Sequence, residues 1–295
     1  MKSGRILAVL FLVLVLTHPL TAAAAVLDAL KMFYFQVLPS LMPCMVGALM
    51  LEKSGVTLLG QGRTAPLLRR LFGMDLRCLS FLALNFAAGF PAGAKIISEQ
   101  HQHGTLSADH AQTLLALTSG VSPGFILGTL GSFFESRLWG VLILLAHWTG
   151  ALLCGMLFAK KQQQVPSAST QQNMPDQSFF TIVCESIGQS SAPMLSIASA
   201  LCFFSVLLCF LPPSFSALTP ILEMTAGCIQ IGAMPLGDGM KAMLLCGAVS
   251  FGGLCLNMQT LLFTRSLIAP KTYLRQKAVH GLISAMLLSP ALFWG

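Results

Sequence analysis

The sequence predicts an all-α polytopic membrane protein built from inverted repeats, with about seven transmembrane helices plus two re-entrant helical hairpins. Three observations predict it. The chain is 55% hydrophobic and only 9% charged, with mean hydropathy +0.77, whereas soluble domains carry about 25% charged residues. Its basic residues gather in short loops between apolar runs, as the positive-inside rule produces. Two of those runs are broken by matching words: Leu117-x-x-x-Val121-Ser122-x-Gly124 and Leu245-x-x-x-Val249-Ser250-x-Gly252 share one spacing.

Four regions follow in order: 1–32, an N-terminal transmembrane helix with an amphipathic connection; 33–159, a first repeat; 160–178, a linker rich in Gln, Ser and Pro; and 179–295, a second, inverted repeat. At the start, Lys2 and Arg5 precede an apolar run to Leu16 and the small residues Thr21 to Ala25. This reads either as a cleaved secretory signal or as an uncleaved span from Ile6 to about Ala25, long enough at about 20 residues. The span is favoured, because the rest of the chain is itself multi-spanning. Further apolar segments run over 34–51, 78–97, 111–134 and 138–159, then 192–211, 217–235, 240–263 and 277–294.

Loop charge sets their orientation. Loop 52–77 holds Lys53, Arg63, Arg69, Arg70 and Arg77, and loop 264–277 holds Arg265, Lys271, Arg275 and Lys277. Both belong in the cytoplasm, as does the linker that opens on Lys160 and Lys161. Residues 98–136 carry Glu99, Asp109 and Glu135 with a single basic residue, Arg137, just beyond, and are placed outside. Three apolar segments then lie between two cytoplasmic loops, so one must enter and leave on the same side. Segment 111–134, split by Ser119 to Gly124, is the expected hairpin, and 240–263, split by Gly247 to Gly253, is its counterpart. Upstream, Asn85-x-x-Ala88-Gly89 pairs with Glu223-x-x-Ala226-Gly227.

The net charge of +7 follows from those loops and does not point to nucleic acid. Nine cysteines are scattered through apolar segments without a C-x-x-C pair, the pattern of small buried residues. No Walker-type loop or H-E-x-x-H is present, so no enzyme and no cofactor is expected. His101, His103, Asp109 and His110 resemble a metal cluster, but they read as a solvated loop with Ser107 capping the next helix.

The stretch Asn85 to Lys95 contains Gly89, Pro91 and Gly93 inside an apolar run. Broken backbone at membrane depth survives only where protein buries it or where it lines a cavity. A lysine beside it is a functional candidate, weighed against a lysine that snorkels to the interface. Glu223 is weighed between a coupling proton or cation site and an acid at a helix N-terminus. Ser119, Ser122, Thr225 and Ser250 offer hydroxyls near the breaks. Asn257 and Gln259 line the cavity or glue helices together.

Phe90-Pro-Ala-Gly-Ala-Lys95, Ser119-Gly-Val-Ser-Pro-Gly124, Glu223-Met-Thr-Ala-Gly-Cys228 and Phe251-Gly-Gly-Leu-Cys-Leu-Asn257, in that order, resemble the sporulation integral membrane protein family (YlbJ-type). That family carries a nucleoside recognition or gate domain related to concentrative nucleoside transporters. The resemblance spans about Phe33 to His280. It implies a multi-pass protein of the cell membrane or outer forespore membrane of a spore-forming bacterium, moving dipicolinate towards the spore. Dipicolinate is a flat dianion, for which Lys95 would supply charge and the half-helix N-termini would supply N–H donors. The expected partners are therefore the bilayer and a small anionic solute, with a homo-oligomer compatible with the sequence. A nucleoside or other small-metabolite carrier, or a non-transporting assembly or regulatory protein of sporulation, are the alternatives.

Overall fold

The structure, a computed structural model, describes residues 2–54, 86, 89, 92–104, 106–118, 120–159, 178–264 and 267–293. All regular structure among them is helical: α1 (Lys2–Thr17), α2 (Pro19–Met32), α3 (Leu38–Lys53), α4 (Ala92–Gln102), α5 (Ala108–Thr118), α6 (Leu138–Phe158), α7 (Phe179–Cys209), α8 (Thr219–Leu222), α9 (Met224–Ala233), α10 (Asp238–Phe251), α11 (Gly253–Thr264) and α12 (Pro270–Leu288). Among the described residues, four stretches are long and apolar enough to cross a membrane: Pro19–Lys53, Leu138–Phe158, Phe179–Cys209 and Asp238–Thr264. Large apolar side chains such as Leu20, Phe35 and Leu195 stand exposed along them, as lipid-facing surfaces require.

The first of these differs from the expected boundaries. The chain breaks at His18–Pro19, and from there one helix runs through 32 and 33 to Lys53. Its register adjusts in a π turn at Phe33–Val37. Pro39 can neither donate to the carbonyl of Phe35 nor sit beneath it in a regular α turn. Ser40 Oγ donates to the carbonyl of Gln36 at 2.7 Å, satisfying one of the acceptors nearby.

Both Gly/Ser breaks form, but their halves do not fold back on each other. At Gly252 and Gly253 the backbone turns left-handed, with φ of 83° and 61°, conformations that glycine adopts without steric cost. Beyond them α10 packs on α6 and α12, while α11 packs on α4, α7 and α8. The stretch Asp238–Thr264 is thus one broken crossing in length and composition, not the compact hairpin expected over 240–263. The first break behaves likewise: α5 lies on α4 and α6, and the π turn Phe125–Leu130 beyond it packs on α3 and α6. The tight reversals come just before each broken stretch. One is α4 to α5; the other is α8 to α9, where Gly227 rests directly on Pro220.

Two placements read from loop charge are corrected. Gln100 Nε2 donates to Glu52 Oε1 at 3.3 Å, so the α4–α5 turn lies beside the last turn of α3. It therefore shares the end assigned to the cytoplasm, not the opposite one. The error is understandable, because acidic residues contribute little to orientation. Lys277, counted as a loop charge, sits within α12 and is 1% exposed.

The interior has two cores. One joins α2, α3 and α7 through Met45, Met194, Ile197 and Leu201, with Ile96 and Cys255 reaching in. The other joins α5, α6, α9, α10 and α12 around Leu114, Leu117, Ile143, Leu245 and Tyr273. In lipid, helix association relies on close packing more than on hydrophobic burial, which favours small residues at contacts. Gly155 lies against Leu117, Gly150 against Ser284 and Gly239 against Ala291. A side chain at any of these would push two helices apart.

Candidate functional site at the seam of two cores

Where the two cores meet lies a small cavity of about 40 Å³. From the first core come Val37, Ser40, Leu41, Ile197 and Leu201; from the second come Val121, Ser122, Phe125, Glu223, Met224, Thr225 and Leu256, with Gln259 from α11. Ser122, Glu223, Thr225 and Gln259, all singled out from sequence, are thus brought together although they are 137 positions apart at the extremes (259 minus 122).

Among the described residues, Glu223 is the only ionisable group on this lining. It is fully buried and caps α9 from an extended conformation (φ −133°, ψ 115°). Its carboxylate accepts from Thr225 N at 2.9 Å and from Ala226 N at 2.5 Å. The helix N-terminal reading is thus observed, a position where the dipole stabilises an acid, and the residue also faces the cavity. Gln259 Oε1 has no hydrogen-bond partner among the described residues, so one acceptor near Glu223 is open to a ligand or water. A void needs about 10–15 Å³ to admit one water, so this one has room for a water or a small cation. Ligand pockets run to about 300–1,000 Å³, so the conformation described is closed to any organic solute.

The other candidates fall around the cavity. Gly89 is left-handed (φ 66°) and lies directly on Ser122; a Cβ there would come within 2.6 Å of Ser122 N. Gly93 is buried in α4. Asn257 Nδ2 donates to the carbonyl of Phe251 at 3.0 Å, bridging the second break. Ser250 faces away from the cavity and meets His147 Nδ1 at 2.7 Å. Lys95 is absent from the cavity lining. Its Nζ lies 3.7 Å from Glu99 Oε1 and 3.4 Å from the carbonyl of Gln189. Asn85, Pro91 and Ser119 lie outside the described residues. At the loop, His101 Nδ1 meets the carbonyl of Leu106 and Ser107 Oγ accepts from His110 N, as the capping pattern predicts. No cluster of metal-ligand type occurs among the described residues.

Sequence reasoning missed His147, Lys277 and His280, which are each 1% exposed. The signal was available: a histidine mid-way along an apolar segment, and Lys277 three positions from His280 at the head of another.

A second void, about 640 Å³ and open to the surface, runs beside Phe35, Pro39, Cys44, Gly128 and Phe133. Ser40 lines both spaces. Between them Gly124 rests on the backbone of Ser40.

No family model matches the chain, and no solved structure matches it. The chain is similar to the sporulation integral membrane protein YlbJ of Bacillus subtilis (strain 168), with 29% identity over 154 residues. That alignment covers 51% of this chain and 38% of the relative, so the chain matches well under half of the relative's length.

Proposed function

We propose that this chain is a membrane transporter or facilitator that moves a small organic solute through the seam between its two cores. The observation that carries the reading is the small cavity where one broken helix, the capped carboxylate of Glu223 and the open acceptor of Gln259 converge. Secondary transporters place substrate and coupling ions between discontinuous helices and open the site alternately to each side. The closed cavity and the wider open groove, separated at Gly124 and Ser40, suit such a cycle.

The sporulation membrane role of the relative makes dipicolinate the first solute to test. Glu223 then holds a proton or cation that offsets the anion, since a dianion facing a bare carboxylate is repelled at close range. A neutral nucleoside-type solute is the second reading, favoured by a lining that offers hydroxyls and an amide but no cation. Both readings include a topology of about seven spans with two re-entrant segments, the linker lying in the cytoplasm and the far end outside. Reporter fusions at Gln163 and Gly295 should then report opposite sides.

Purified protein in lipid vesicles, offered labelled dipicolinate and a labelled nucleoside separately, decides among these. Saturable dipicolinate uptake supports the first reading; nucleoside uptake alone supports the second. Uptake of neither overturns transport and leaves an assembly or regulatory role. Glu223→Gln is expected to abolish uptake in either case while leaving the protein folded. The amide side chain retains one acceptor for the α9 cap, and losing a cap costs about 0.5–2 kcal/mol.

A further inference from the structure

Behind the second break, where α6, α10 and α12 meet, lie three buried ionisable side chains that the cavity does not use. Lys277 and His280 are one turn apart on α12, with Lys277 Nζ 3.2 Å from His280 Nδ1. His280 Nε2 lies 3.0 Å from the carbonyl of His147. A carbonyl only accepts, so Nε2 carries the hydrogen and Nδ1 presents its lone pair to the lysine. The two imidazoles lie with ring centroids 4.9 Å apart. His147 is held on both sides: Nδ1 meets Ser250 Oγ at 2.7 Å, and Gly120 abuts Nε2 so closely that a Cβ would collide with it. His147 therefore touches the first break at Gly120 and the second at Ser250.

Ionisable groups at this depth are costly and rarely retained for packing alone. A lysine and a histidine 3.2 Å apart cannot both be charged without strong repulsion. The pair therefore holds at most a single proton. We propose that Lys277 and His280 form a proton-binding site whose occupancy is relayed to both breaks through His147. A proton from water bonds to the Lys277 Nζ lone pair, raising the charge of the pair by one, and the ammonium donates to His280 Nδ1. Polarised in this way, His280 binds the His147 carbonyl more tightly, as charge-assisted hydrogen bonds do. Release of the proton to water restores the neutral pair. Among the described residues, other titratable groups face the site from three neighbouring helices and from α12 itself. From α6 come His147 and Cys154, whose Sγ donates to the carbonyl of Gln276 at 3.3 Å. From α10 comes Cys246, bonded to Ile143 O, and from α12 itself Tyr273. α5 also touches α12 and bears Asp109 and His110 in its first turn.

This inference supplies a coupling ion for the transport reading and rests on it, so its test has two readouts. The first is the protonation of the pair, read at His280 Nδ1 by histidine side-chain nitrogen NMR of the full-length protein in detergent as pH is varied. His280→Gln assigns the signal, and Lys277→Met should abolish its pH-dependent shift. The second is vesicle uptake, as a function of pH, of whichever of dipicolinate and nucleoside is carried. Lys277→Met removes the group that takes up the proton and leaves His280 beside the His147 carbonyl. It should keep the fold and cut the pH response of uptake by at least about fivefold, the low end of coupling between sites. Ser250→Ala should leave His280 titrating while flattening the pH response of uptake. A purely structural role would lower the melting temperature and leave the pH profile unmoved. An unchanged profile in folded Lys277→Met, or a His280 signal indifferent to that substitution, overturns the proposal. If the wild type takes up neither dipicolinate nor a nucleoside, the transport reading fails, and the NMR midpoint alone decides whether the proton site stands.

Discussion

The two breaks carry the same word, Leu-x-x-x-Val-Ser-x-Gly, and use it differently. In both, the leucine and serine are buried. Ser122 lines the cavity, whereas Ser250 turns to His147. Gly124 keeps right-handed helical angles (φ −58°, ψ −41°) and serves as a contact point for α3. Gly252, its counterpart, is left-handed (φ 83°) and serves as a backbone pivot. The first break is thus fixed by what leans on it from other helices; the second is fixed by its own glycines and the Asn257 bridge. Equal spacing fixes where a helix breaks, and the surrounding contacts decide what the break does.

Gly89→Ala should break that comparison most severely. The residue is left-handed, and its new Cβ would meet the Ser122 backbone at 2.6 and 2.9 Å. Left-handed strain alone costs about 1–2 kcal/mol, and overpacking against backbone adds about 1–3 kcal/mol. A loss of about 3 kcal/mol or more is expected in denaturant unfolding of the purified protein in detergent. A loss under about 1 kcal/mol would mean that the first break is not held by contact.

Ser250→Ala comes next. It leaves His147 Nδ1 buried without its partner, which costs about 1–3 kcal/mol. Ser122→Ala should cost less than half as much, because among the described residues the one hydrogen bond to Ser122 Oγ is a long one, from Phe125 N at 3.4 Å. Equal losses at the two serines would erase the distinction between a cavity hydroxyl and a structural one. Gly252→Ala falls within the range of Ser250→Ala, at about 1–2 kcal/mol of left-handed strain, and the same unfolding measurement ranks it against Gly89→Ala.

Much of this architecture was legible from residue order. Composition gave the membrane helices, and Gly/Ser/Pro words gave both breaks. Four site residues dispersed over the chain, Ser122, Glu223, Thr225 and Gln259, converge on one cavity. What could not be read was the path of the chain through each break. Left-handed glycines send two halves to different neighbours as readily as they close a hairpin, and the spacing is the same. Loop charge misled for Lys277, because a lysine at the head of an apolar run looks the same whether it lies in water or begins a buried turn. It misled for Glu99 as well, whose partner is on its own helix.

The smallest expected effect tests the other lysine. Sequence made Lys95 the cation of an anion site, and Lys277 a loop charge; the geometry exchanges their surroundings. The Lys95 side chain is 22% exposed and pairs with a Glu99 that is 43% exposed, at 3.7 Å. Such a pair is screened by solvent and is worth about 0–1 kcal/mol. Lys95→Ala should therefore change the unfolding midpoint little and leave vesicle uptake within about twofold of wild type, since a neighbouring exposed charge adds only a fraction of a kcal/mol. An anion held by Lys95 would instead lose a charge-assisted bond of about 1.5–3 kcal/mol, a fall in uptake affinity of at least about tenfold. That larger loss would move the anion site to α4 and leave the Glu223 cavity to the coupling ion alone.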